Sequence, residues 1–307
     1  MNKFKELLFI QNIKGLGKIS INKNNYLDIV EEYSDLDDLI AEIEYRFNIP
    51  LERLENSKKK TEEIYEYVIN NPEITVITIF DDEYPGKLLD MGNEKPLMLY
   101  VKGNVEALSK QNLAVIGTRK PSDPSQVFEE NLVRSVLKHN ERVIVSGLAL
   151  GCDKIAHQAT VDENKITIAV LPSGVDVIKP ARHKKLAQDI IDNGGCLVSE
   201  YEPNKSVFKG NYVERDKIVA AFSDATFVVE CGVKSGTMHT VNAAKDYNRQ
   251  IYAYLPDERP EGSYDGNEFI LGNNESAIKV DNIEEFLGEL ETLTLKKKKK
   301  TVQQTLM

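Results

Sequence analysis

Between Leu113 and Pro256, short apolar runs alternate with polar, helix-patterned stretches, one run about every 25–30 residues. The runs are Leu113–Ile116, Arg142–Val145, Ile166–Leu171, Cys196–Ser199, Thr226–Glu230 and Ile251–Leu255. Several are followed closely by Gly, Ser or Thr. The intervening stretches predict helices over Pro124–Leu137, from near Gly151-Cys152-Asp153, over Arg182–Asp192, from the end of the Glu200–Gly210 loop through Ala221, and from Ser235-Gly236-Thr237. Strand–helix alternation of this kind predicts an α/β fold. Right-handed crossovers then bring most of the strand-end loops to one carboxyl edge of a parallel sheet. Ahead of this block, residues 1–70 read as helical. Phe4, Leu7, Leu8 and Ile10–Ile13 share an apolar face, and helical patterns recur over Leu36–Phe47 and Leu51–Ile69. Two β-branched runs, Ile74–Phe80 and Leu97–Gly103, predict strands lying beside the main sheet. After Pro256 the pattern predicts a polar loop over Asp257–Glu275, a strand over Ala277–Val280 and a helix over Ile283–Leu290. The expected organisation is a helical domain over 1–70, an α/β domain over 71–290 and a solvated tail over 291–307 carrying Lys296–Lys300.

Composition narrows the classes. No run of about 18 apolar residues offers a membrane span. The apolar run near the start is too short for a signal peptide, so a cytoplasmic protein is expected. The three cysteines, Cys152, Cys196 and Cys231, lack metal-ligand spacing and read as reduced, partly buried thiols. Net charge is −10 but uneven: residues 1–100 carry 12 basic and 20 acidic side chains, whereas residues 101–259 carry 21 and 20. This balance argues against a generic nucleic-acid coat and leaves room for one local basic groove. The turn Gly15-Leu16-Gly17 is similar to a helix-hairpin-helix turn. The acids that follow it, from Glu31 to Asp38, favour a plain helix–helix turn instead. There is no G-x-G-x-x-G, which disfavours a dinucleotide enzyme.

The strand ends carry the chemistry of a phosphate site. Arg119 follows Gly117-Thr118 at the end of the first run, so its guanidinium can fork onto a phosphate. Ser235-Gly236-Thr237 offers amides and hydroxyls at a helix start, where the dipole favours an anion. Ser146-Gly147 and Ser173-Gly174 complete the expected rim. Asp153 and His157 lie four apart on one helix face, open to a metal or acid–base reading, although capping and packing account for them equally well. Glu230 is the candidate base if the site hydrolyses anything.

These motifs, in this order, resemble the DprA/Smf family of bacterial DNA-processing proteins. The resemblance runs from about Tyr84 to Val280 and is carried by Pro96–Gly103, Gly117-Thr118-Arg119, Ser146–Asp153 with His157, Leu171–Ile178, Ser199-Glu200-Tyr201 and Val229–Thr237. It implies an extended Rossmann-like fold, a homodimer, single-stranded DNA as ligand, a RecA-type recombinase as partner, and no catalysis, cofactor, metal or membrane. It also implies that the family's usual carboxyl-terminal winged-helix domain is missing here. On that resemblance Arg119, Lys179, Arg182, Lys184, Lys185, Arg215 and Lys217 would neutralise phosphates, and Tyr212 would stack on a base. The segment Gly210–Ala220 departs from the family pattern by placing Glu214 and Asp216 among its cations. Two acids facing a DNA backbone would oppose binding, and Asp216 would instead suit a ribose hydroxyl. A nucleotide-binding sensor or nucleotide-cleaving enzyme of a related Rossmann-like group therefore stands as the alternative.

Overall fold

The alternating runs become one nine-stranded sheet in the computed structural model, which describes residues 3–139, 142–259, 262 and 264–293. The Lys296–Lys300 tail lies outside the described residues. Five helices open the chain: α1 (Phe4–Asn12), α2 (Lys18–Lys23), α3 (Tyr26–Glu32), α4 (Leu36–Phe47) and α5 (Leu51–Ile69). The acidic segment before α4 has a local cause, because Asp35 caps that helix, accepting from the amides of Asp37 at 2.8 Å and Asp38 at 3.1 Å. Strands β1 (Ile74–Thr78) and β2 (Met98–Gly103) follow. The repeating units are then β3 (Asn112–Ile116), α6 (Asp123–His139), β4 (Val143–Ser146), α7 (Cys152–Asp162), β5 (Thr167–Val170), α8 (Lys184–Asp192), β6 (Cys196–Ser199) and α9 (Lys209–Phe222). The chain continues through β7 (Ala225–Val228), α10 (Thr237–Asp246), β8 (Gln250–Tyr254), α11 (Asp265–Asn273) and β9 (Ile278–Val280), and residues 283–293 are helical.

Strand order is β1-β2-β6-β5-β4-β3-β7-β8-β9. Strands β3 to β9 pair in parallel, whereas β2 runs antiparallel to both β1 and β6. The two early strands thus lie against β6 and extend the sheet, with Val101 opposite Val198. From β3 the chain lays β4, β5 and β6 outward on one side, then returns to place β7 on the other. The order therefore reverses between β3 and β7, and a crevice opens where the two following loops part.

Side chains alternate across the sheet as strand geometry demands. Leu113 and Val115 join a cluster with Leu132, Val133 and Phe227, while Ala114 and Ile116 join the opposite one with Ile218, Phe222 and Val241. A third cluster unites α1–α5 with β1, β2 and α8: Leu7, Leu8, Ile43 and Leu54 pack with Ile74, Tyr100, Leu186 and Ile190. The stretch expected as a polar loop after Pro256 holds α11. Its anchor is polar: fully buried Asn267 donates to the carbonyls of Tyr254 (2.8 Å) and Val229 (3.1 Å) and accepts from the Cys231 amide (2.8 Å). Cys152, Cys196 and Cys231 are free and buried. Among the described residues no helix is long and apolar enough to cross a membrane.

Candidate functional site

The crevice between β3 and β7 is an open cleft of about 580 Å³. One wall is the turn after β3, Gly117-Thr118-Arg119. The opposite wall is the start of α10, Ser235-Gly236-Thr237, with His239 and Thr240. Gly147, Ala149 and Asp153 form the floor, and α9 closes the side with Lys209, Tyr212, Val213, Arg215, Asp216 and Val219. Several of these α9 positions recur three or four apart, so one helix face looks into the cleft.

The loops are fixed by bonds among themselves. The Thr118 amide donates to the Glu230 carbonyl at 2.7 Å, and Thr237 Oγ1 donates to the Gly117 carbonyl at 3.0 Å. The Glu230 carboxylate accepts from the Ser122 amide (2.9 Å) and hydroxyl (2.7 Å), which ties down the segment after Arg119. Gly151, at φ 72°, lies against the Thr118–Arg119 backbone, where any side chain would collide. Asp153 accepts from the amides of Gly147 and Ala149, each at 3.2 Å, so its carboxylate shapes the floor. His157 is fully buried against Thr167 Oγ1 at 2.7 Å, and burial, with His183 and Arg215 nearby, pushes its pKa down to about 3. It is a neutral core residue. Asp153 and the Nδ1 side of His157 thus have structural partners, while His157 Nε2 is buried without one among the described residues.

Two arginines flank Tyr212, with guanidinium carbons 5.4 Å (Arg119) and 6.0 Å (Arg215) from its ring centre. They differ in what they hold. Arg215 is buried. It donates to the carbonyls of Gly147 and, at 2.9 Å, of Val170, and to Asp216 at 2.9 Å. Its guanidinium fills the space where a side chain at Gly147 would stand. Arg119 is exposed and, among the described residues, has no acidic partner. Asp216 lines the cleft, and burial raises its pKa despite Arg215 beside it. Glu214 points the other way. It meets Lys18 at 2.8 Å and Lys217 at 3.1 Å, and Lys18 also meets Glu200 at 2.9 Å. The lysine after the Gly15-Leu16-Gly17 turn is therefore held by two carboxylates.

The structure gathers Gly117, Thr118, Arg119, Gly147, Tyr212, Arg215, Ser235, Gly236 and Thr237 around the cleft. It does not bring the other named positions there. Ser146 is buried and donates to Val115 at 2.7 Å; Ser173 donates to Val177 at 2.7 Å; Gly174 is packed against the Glu202–Asn204 backbone. Lys217 sits between Glu94 and Glu214, each 3.1 Å away. Lys179, Arg182, Lys184 and Lys185 are exposed on the neighbouring segment, joined to the rim where His183 Nδ1 meets the Leu148 carbonyl at 2.9 Å. Lys209 and His239 are added to the wall. Lys209 was legible as the residue three before Tyr212, but only once α9 is known to begin ahead of Gly210.

A family model described as DNA recombination-mediator protein A matches residues 75–291. The chain is 34% identical over 214 residues to DNA processing protein DprA of Streptococcus pneumoniae, covering 70% of this chain and 73% of that one. It is 30% identical over 272 residues to Protein Smf of Borreliella burgdorferi, covering 86% and 83%. Its fold is similar to the X-ray structure of the Streptococcus pneumoniae protein, with a TM-score of 0.76, 27% identity and coverage of 94% and 98%. It is also similar to DNA processing protein A from Helicobacter pylori, a structure described for its single-stranded DNA binding mode, with a TM-score of 0.62, 29% identity and coverage of 72% and 96%.

Proposed function

The chain belongs to the DNA recombination-mediator protein A family, the DprA/Smf proteins, and from that membership we propose that it binds single-stranded DNA across the β3–β7 cleft. The observation that carries the reading is Arg119: an exposed guanidinium without an acidic partner among the described residues, beside an aromatic ring, in a cleft that also receives the start of α10. A phosphate is favoured between Arg119 and the helix start, where fixed charge and dipole act together. Tyr212 offers a face for a base. The two acids that depart from the family pattern do not stand together against the strand, since Glu214 is turned toward Lys18. The Helicobacter pylori relative, described by its single-stranded DNA binding, supports the same assignment.

In this reading the protein acts by binding and makes or breaks no bond, which is supported by the structural bonds made by Asp153, Glu230 and Asp216 beside the cleft. Protection of incoming DNA, help in loading a RecA-type recombinase, and a homodimeric state complete the proposal. Anisotropy of a labelled oligothymidylate, titrated over a salt series, tests its core. Log affinity falls with log salt at a slope of about −0.7 for each phosphate neutralised, so engagement of Arg119 and Lys209 gives about −1.4. No binding at low salt, or a flat slope, overturns it. Asp216 in the cleft wall favours a second reading, a mononucleotide sensor. A nucleotide that raises the melting temperature where oligonucleotides do not would select it.

A further inference from the structure

Phe208 stands in water, where the fold gains little from it. Its side chain is 61% exposed. It is the residue before α9, with φ −112° and ψ 156°, and its carbonyl accepts from the Asn211 amide at 3.0 Å, which fixes it to the first turn. The next residue, Lys209, lines the cleft. Tyr212, four residues on, carries the aromatic face described above, so the two aromatic residues bracket the first turn of α9.

We infer that Phe208 is a second stacking surface, taking the base adjacent to the one on Tyr212; this rests on the single-stranded DNA reading of the cleft. Spacing argues for an unpaired strand. Four helical residues rise about 6 Å, whereas neighbouring nucleotides of a duplex strand are about 3.4 Å apart. Aromatic residues anchored that far apart along the chain favour two bases that are no longer stacked on each other. They suit a strand whose bases have been drawn apart. Lys209 lies between the rings in sequence and supplies a cation for the phosphate that joins the two nucleotides. Because the exposed ring contributes little packing to the free protein, covering its face on binding sacrifices no contact of the fold.

Phe208→Ala, Phe208→Leu and Phe208→Trp test this, since a residue this exposed can be exchanged without disturbing the core. Affinity for an oligothymidylate is compared with affinity for thymidine monophosphate. The Ala variant loses about 5- to 150-fold on the oligonucleotide, the range of one base–aromatic stack, and nothing on the mononucleotide. The Leu variant, apolar but without a flat face, behaves like Ala, and Trp restores wild-type affinity. Wild-type affinity in the Ala or Leu variant overturns the stacking role while leaving the cleft reading intact. Failure of the wild-type protein to bind any oligonucleotide overturns both.

Discussion

Arg119 and Arg215 share one aromatic neighbour and have opposite duties. Arg215 is bound by carbonyls from two strand ends and by Asp216, so it holds the cleft together. Arg119 is exposed and, among the described residues, has no acidic partner, which under the proposed function leaves its donors for a phosphate. Arg119→Ala is therefore expected to weaken oligonucleotide binding by about 1.5–3 kcal/mol, the worth of a hydrogen bond to a charged group, and to reduce the salt slope by about 0.7. A slope equal to that of the wild type would remove Arg119 from the phosphate contacts. Both arginines were legible in the sequence, one after a strand-end Gly-Thr and one in a basic motif. What the sequence withheld is that Gly147, 68 residues before Arg215, leaves the space its guanidinium fills. Ser146 and Ser173 are absent from the cleft lining for a related reason. A hydroxyl at a strand end reads the same whether it faces a ligand or, as here, donates to a nearby backbone carbonyl.

Among the elements, α9 has two working faces. Lys209, Tyr212 and Asp216 look into the cleft, while Glu214 looks back at α2. Helical periodicity contains this division, but nothing local to Glu214 announces a partner almost 200 residues earlier. Burial opposes the ionisation of Glu214, and Lys18 and Lys217 outweigh it, holding the carboxyl below its ordinary value of 4.5. Burial also works against charged Lys18, and Glu200 and Glu214 outweigh it, raising its pKa above 10.5. A depressed carboxyl contributes stability that is present above its unfolded pKa and lost as pH falls through the folded one. The raised lysine contributes in full below 10.5 and loses its share only above that. The clamp is thus intact at neutral pH and weakens from about pH 4.5 downward. Urea unfolding at about pH 7 and about pH 4 checks this: Lys18→Met is less stable than the wild type at neutral pH, and the gap narrows in acid. A gap independent of pH would dismiss the clamp.

At the scale of the molecule, the alternation of apolar runs and helices was enough to read an α/β fold with its chemistry at one sheet edge. It could not reveal α11, whose anchor is a buried asparagine bonded to backbone rather than an apolar stripe. Nor could it show how closely the proposed domains, 1–70 and 71–290, are joined. They share one apolar cluster, in which the Phe4 ring meets Tyr100 edge-on at 6.2 Å. The ion cluster linking Lys18 to the back of α9 has a thermodynamic consequence. If an oligonucleotide settles α9 against the cleft, the same helix is settled against α2, so ligand occupancy and the seating of the amino-terminal helices form one linked equilibrium. Amide hydrogen exchange in α2 should then slow when the cleft is filled, although no ligand atom comes near it, and Lys18→Met should abolish that slowing. Protection confined to the cleft walls would show that the two faces of α9 act independently.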